Sequence, residues 1–204
     1  MRFILILLLS TQALFGQYFG QNKVQYNEFD WNFIVSPNFN VYYYGDNHDL
    51  AIFTSKVAEE SLDQIGKHLR WRSQKPIKII VYTSHNDFQQ TNIVNVYMSE
   101  GIGGVTELYK NRIVIPFEGS YAQFKHVIHH ELVHAIINDM IYGGNVQGVL
   151  SGRVLLQVPL WANEGLAEFL SVDWDTKSDM VLRDLAIEEN LPQVEQLNYS
   201  ILAY

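Results

Sequence analysis

The residues most able to do chemistry lie in one run, His129-His130-Glu131-Leu132-Val133-His134, which contains His-Glu-x-x-His. Residues four apart on an α-helix are offset by only about 40°, so the imidazoles of His130 and His134 stand one above the other and can grip one ion. Glu131, beside the first of them, projects toward a water on that ion. A divalent metal brings the pKa of such a water down to about 7, and a carboxylate can then take its proton. The chain has seven histidines in 204 residues, and chance alone gives a motif of this form about 0.01 times in such a chain. The bland reading is a polar stripe on a buried helix. A His-Glu-His cluster on an otherwise apolar helix is costly to bury unless it is paired or metallated, which favours the metal. Two histidines do not complete a site, because catalytic zinc takes three protein ligands and keeps one position open. Cysteine is absent, so thiol nucleophiles, cysteine-ligated metals and disulfides are excluded, and any further ligand must be His, Asp or Glu. Downstream, Glu164 and Glu168 stand four apart in Pro159-Leu160-Trp161-Ala162-Asn163-Glu164-Gly165-Leu166-Ala167-Glu168, on a second apolar helix.

These groups need elements to hold them. From Tyr121 to about Met140 the spacing is helical, with Val127, Leu132, Val133, Ile136 and Ile137 on several sides. That describes a largely buried helix, ended by Gly143-Gly144. Pro159 suits the first turn of a helix running to about Trp174, and two more helical segments are expected near 178–189 and from 197 on. Ahead of the motif, Phe39–Tyr44, Ile77–Tyr82, Val105–Tyr109 and Arg112–Pro116 read as strands, the last two joined by a hairpin at Lys110-Asn111. Residues 49–70 repeat Leu50, Phe53, Val57, Leu62, Ile65 and Leu69 at helical spacing, with Pro76 closing the segment. A short helix is expected around Asn86–Gln90. The order predicts an α+β fold, a small N-terminal mixed sheet followed by an active-site helix and a helical C-terminal half.

The His-Glu-x-x-His helix, followed by a helix that begins Trp161-x-x-Glu164-Gly165-x-Ala167-Glu168, resembles the gluzincin metallopeptidases, including the thermolysin-like and aminopeptidase N-like families. Above all it resembles the bacterial peptidase MA-like domains, which are often exported and often followed by a Tol-type β-propeller. The resemblance implies a zincin-like fold over roughly residues 30–204. It implies Zn2+ on His130, His134 and Glu164, with Glu131 as general base that later passes the proton to the leaving amine. It implies Glu168 as the carboxylate that accepts from the other ring N–H of His130, with His134 the less favoured partner. It also implies an edge strand for an extended peptide or protein substrate, supplied by Gly103–Thr106 or Arg112–Pro116. Tyr204 would stand for the downstream tyrosine that stabilises the transition state. Residues 135–163 form a longer spacer than in the aminopeptidase N-like enzymes, with an insertion marked by Gly143, Gly144, Gly148 and Gly152. Gly103-Gly104-Val105-Thr106-Glu107 replaces their Gly-Ala-Met-Glu-Asn-type motif, so aminopeptidase specificity is not implied.

Other candidates carry less. His126, four before His130, could join the stripe, but the expectation is that it faces solvent or a carbonyl. His129 points away from the His130/His134 face, and His48, His68 and His85 are isolated. No Gly-x-Ser-x-Gly, P-loop or dinucleotide motif is present. A net charge of −8 and a pI near 5.3 argue against nucleic acid as a partner. Arg2, the apolar run Phe3–Leu9 and Gly16 describe a signal peptide over residues 1–16, with residues 17–204 as the peptidase domain. The run is shorter than the ~20 apolar residues of a membrane span, so the mature chain is expected to lack a transmembrane segment. The expected location is the periplasm, the outer membrane's periphery or the exterior. The apolar end, Ile201-Leu202-Ala203-Tyr204, is read as an interior point of a longer protein, and the resemblance implies a propeller domain beyond it. Two rival functions remain at this point. One is a non-catalytic zincin-fold module for binding or assembly at the cell envelope, against which the intact Glu131 speaks. The other is a hydrolase using the same site on a non-peptide bond.

Overall fold

Period-two burial builds the sheet. In β3 (Ile77–Tyr82), Ile77, Ile79 and Val81 are buried and Lys78 is exposed, as a strand with one covered face requires. The computed structural model describes residues 26–93, 102–108, 110–143, 158–172 and 174–199. Residues 1–16, read above as a signal peptide, Tyr109, the glycines at 144, 148 and 152, and Tyr204 lie outside the described residues. β1 (Trp31–Val35) and β2 (Phe39–Tyr44) pair antiparallel, and β2 pairs parallel with β3. β3 pairs parallel with β5 (Arg112–Pro116), and β4 (Val105–Glu107) lies antiparallel on β5. The five strands run in the order β1-β2-β3-β5-β4, so β1 and β4 are the edges.

A parallel pair needs a crossover, which α1 (His48–Leu69) supplies between β2 and β3. It ends at Arg70 in the left-handed region, φ 51°, well before Pro76, so the stop is a local cap and not the proline. Phe39 and Val41 of β2, Ile79 of β3 and Ile113 and Ile115 of β5 pack with Val57 and Ile65 of α1 and with the buried side of α3 (Tyr121–Tyr142) in one core. The opposite face of the sheet carries a smaller cluster, Tyr82, Phe88 and Val114, where the short α2 (His85–Phe88) sits.

Residues 31–35 carry a strand where the sequence pattern assigned none. Trp31, Phe33 and Val35 are 39%, 59% and 68% exposed, so no buried alternation marks this edge. It is held by backbone pairing to β2 and by ring contacts such as Phe33–Tyr42, centroids 5.6 Å apart.

The second half is helical: α3, α4 (Leu160–Val172), α5 (Thr176–Ile187) and a 3-10 helix at Val194–Tyr199. Ser120 caps α3 by accepting from the Gln123 N–H, and Gly143, at φ 58°, ends it. Asp175 caps α5 through the N–H groups of Lys177 and Ser178. The helix expected from 197 is the 3-10 helix, beginning three residues earlier at Val194. The fold is α+β, a mixed sheet followed by helices. Among the described residues no helix is long and apolar enough to cross a membrane.

Candidate metal centre

α3 presents three histidines at four-residue intervals, His126, His130 and His134, and α4 presents Glu164 and Glu168 at the same interval. The helices dock so that the two stripes face each other and run in opposite directions. Ala167, fully buried between the two glutamates, seats α4 on the core cluster that includes α3.

The central contacts form a triangle. His130 Nε2 lies 3.2 Å from His134 Nε2, and Glu164 Oε2 lies 3.3 Å from each of them. Two ring nitrogens facing each other can share at most one proton, whereas a cation between the three atoms engages every lone pair. A tetrahedral zinc site with bonds of about 2.0 Å has ligand-to-ligand edges of about 3.3 Å. The donor set, two imidazoles and one carboxylate, also suits zinc, and three protein ligands leave one position open. These residues therefore fit a divalent metal. Burial pushes the Glu164 carboxyl up, but hydrogen bonds from His130 and His134 outweigh it and bring the pKa down to about 2.

Glu168 Oε2 lies 3.2 Å from His130 Nδ1. With Nε2 turned into the triangle, Nδ1 is the nitrogen that donates to this carboxylate. The same oxygen lies 3.2 Å from His126 Nε2. His126 thus meets a carboxylate and not a carbonyl, while part of its side chain stays in solvent, which corrects the expectation from spacing in part. His129 is buried on another side of α3, and burial drives its imidazole pKa down to about 4, so it is a neutral core residue. His134 Nδ1 is buried with no hydrogen-bond partner among the described residues.

Glu131 is 6% exposed. Burial pushes its carboxyl up, against the opposing pull of a hydrogen bond from Thr106 and of the two histidines. Thr106 Oγ1, on β4, lies 2.6 Å from Glu131 Oε2 and 3.0 Å from its backbone oxygen. Gly104 passes directly over the carboxylate. A Cβ at that position would meet Glu131 Oε1 at 2.8 Å and Cγ at 2.9 Å. The resemblance implied the Gly103–Thr106 segment only as a substrate edge; that Thr106 and Gly104 hold the Glu131 carboxylate was not readable, because they lie 25 and 27 residues before it in the chain.

The triangle opens into a cavity of about 760 Å³ lined by the Ile102–Thr106 segment and by Val127, Ile137, Asn138 and Ile141 of α3. A second hollow of about 550 Å³, walled by Trp174, Val181, Leu182 and Leu185, adjoins His130, Glu164 and Glu168. Of the two segments expected to offer an edge, Arg112–Pro116 is paired on both sides, whereas Gly103–Thr106 leads into β4 (Val105–Glu107), which among the described residues is paired on one side.

A mixed sheet backed by a helix bearing His-Glu-x-x-His, with a glutamate-bearing helix across from it, defines a peptidase-like domain of the MA type. The chain belongs to the Peptidase MA superfamily, whose family model matches residues 57–203. No curated protein and no solved structure matches it.

Proposed function

We propose that the protein is an exported zinc-dependent metallopeptidase of gluzincin type, with Zn2+ held by His130, His134 and Glu164. The observation that carries this reading is the triangle of His130 Nε2, His134 Nε2 and Glu164 Oε2, with edges of 3.2–3.3 Å. When bound there, the metal supplies a Lewis acid that makes a water more acidic and polarises the carbonyl to be attacked.

The chain's own residues do the rest. Glu131 accepts the proton of the attacking water as oxygen bonds to the peptide carbon. It returns that proton to the departing nitrogen as the C–N bond breaks, leaving a free carboxylate and an amine. The Thr106 hydroxyl holds Oε2, which leaves Oε1 as the oxygen that handles the proton. β4 offers its outer edge to an extended peptide, whose main chain adds to the sheet as a further strand. Substrate is therefore recognised first through its backbone, and the cavity beside β4 takes side chains.

Metal analysis of purified protein should find about one zinc per chain, lost in His130→Ala and His134→Ala. Digestion of a mixed peptide library should stop with chelator and resume with zinc. Stoichiometric zinc in both variants, or digestion indifferent to chelator, would overturn the reading. Export is tested separately: protein recovered from an envelope or medium fraction should begin near Gln17, and an intact Met1–Gly16 segment there would argue against it.

A further inference from the structure

We propose that His126 is a positioning residue of the metal centre, anchoring Glu168, which in turn holds the His130 ring. The inference rests on the metallopeptidase reading above. Its ground is the facing stripes of α3 and α4. Each glutamate on α4 sits between two histidines on α3: Glu164 between His134 and His130, Glu168 between His130 and His126. The upper interval is the triangle of ligand atoms. The lower interval repeats it one helical turn away, with a single carboxylate oxygen 3.2 Å from a nitrogen of each ring.

The lower interval differs in exposure. The side chains of Glu168 and His126 are 38% and 34% exposed, against 13% for Glu164. A half-exposed glutamate is free to rotate into water, and keeping it in one rotamer costs side-chain entropy. Tethered by His130 alone, Glu168 would spend part of its time away from Nδ1. The Nε2–H of His126 adds a second donor at the same oxygen, and hydrogen bonds to an ionised carboxylate are the strong ones. His126 thus raises the fraction of time that His130 Nδ1–H is engaged. That contact fixes the ring's tautomer and direction and makes Nε2 a better donor to a metal. The His126 ring also meets the His130 ring edge-on, centroids 6.0 Å apart, but its hydrogen bond goes to Glu168, and it acts through that carboxylate.

Zinc affinity, measured by competition with a chromophoric chelator, is the readout, with apo-protein melts as the folding check. Glu168→Ala should weaken zinc binding by ~10–100-fold and His126→Ala by a smaller ~3–10-fold. The double variant should bind no more weakly than Glu168→Ala alone, because His126 has nothing left to hold. His126→Gln, which keeps a donor, should stay near wild type, and His126→Met, similar in length without a donor, should match His126→Ala. That pair decides the matter should the alanine variant melt early. Wild-type affinity in His126→Ala, equal affinity in the Gln and Met variants, or losses that multiply in the double variant would overturn the proposal. A second zinc equivalent that disappears in His126→Ala would also overturn it, since His126 and Glu168 would then be ligands themselves. A wild-type chain that binds no zinc refutes the metallopeptidase reading itself, an outcome distinct from any of these.

Discussion

Glu131 is a carboxylate held in place by a hydroxyl on one oxygen and by a missing side chain above the other. Thr106 bonds Oε2, and Gly104 leaves no room for a methyl group near Oε1. Two substitutions separate its chemistry from its placement. Glu131→Gln keeps the shape but cannot accept a proton, so turnover should fall by ~10²-fold or more while zinc content stays at wild type. Gly104→Ala keeps the base but puts a Cβ 2.8 Å from it, so the carboxylate or the β4 lead-in must shift. A misplacement of about 1 Å costs ~10²-fold in rate. The expected result is a low kcat with zinc retained, since the atoms nearest that Cβ belong to Glu131 and Ile115 and not to a ligand of the triangle. Steady-state kinetics with metal analysis checks both, and wild-type rates in either variant would remove that residue from the mechanism.

Helices α3 and α4 carry the candidate metal ligands and Glu131, and they differ in how far sequence alone defines them. α3 is bounded by an N-cap serine and a left-handed glycine and has apolar residues on several sides, so its span and burial were legible. His130, Glu131 and His134 were legible with it because their spacing is internal to one helix. The pairing of Glu168 with His130 was reachable only through resemblance. His126 was misread because its partner lies 42 residues away, and only the opposed docking of the two helices brings them together. β1 was missed because an exposed edge strand leaves no alternation to read. The docking makes its own prediction. Ala167 is the one buried residue of α4 and has no exposed surface. Ala167→Leu should push α4 away from α3 and destabilise the domain by ~1–3 kcal/mol. Zinc binding should weaken in step, because Glu164 and Glu168 flank the wedge. A thermal melt and a zinc titration on the same sample check this; a stable variant with wild-type affinity would mean that α4 is seated by other contacts.

Across the whole molecule, the site joins a well-packed part to a thinly packed one. α1, the sheet and α3 share the main core, whereas α4 contributes one buried residue and α5 none. A metal ligated from both α3 and α4 would therefore act as a cross-link between the two parts. A ligand that binds only the folded state stabilises it by about 4 kcal/mol when present at ~1,000 times its Kd. For a domain of this size each kcal/mol moves Tm by ~2–4 °C, so stripping the metal should lower Tm by roughly 10 °C. The loss should be uneven, because opening is local where packing is sparse. Hydrogen exchange should quicken across α4 and α5 in the apo-protein and stay slow in β3, β5 and the buried turns of α1. His134→Ala should melt like the apo-protein and gain nothing from added zinc. A chelator that leaves Tm and the α4 exchange rates unchanged would show that no ion bridges α3 and α4.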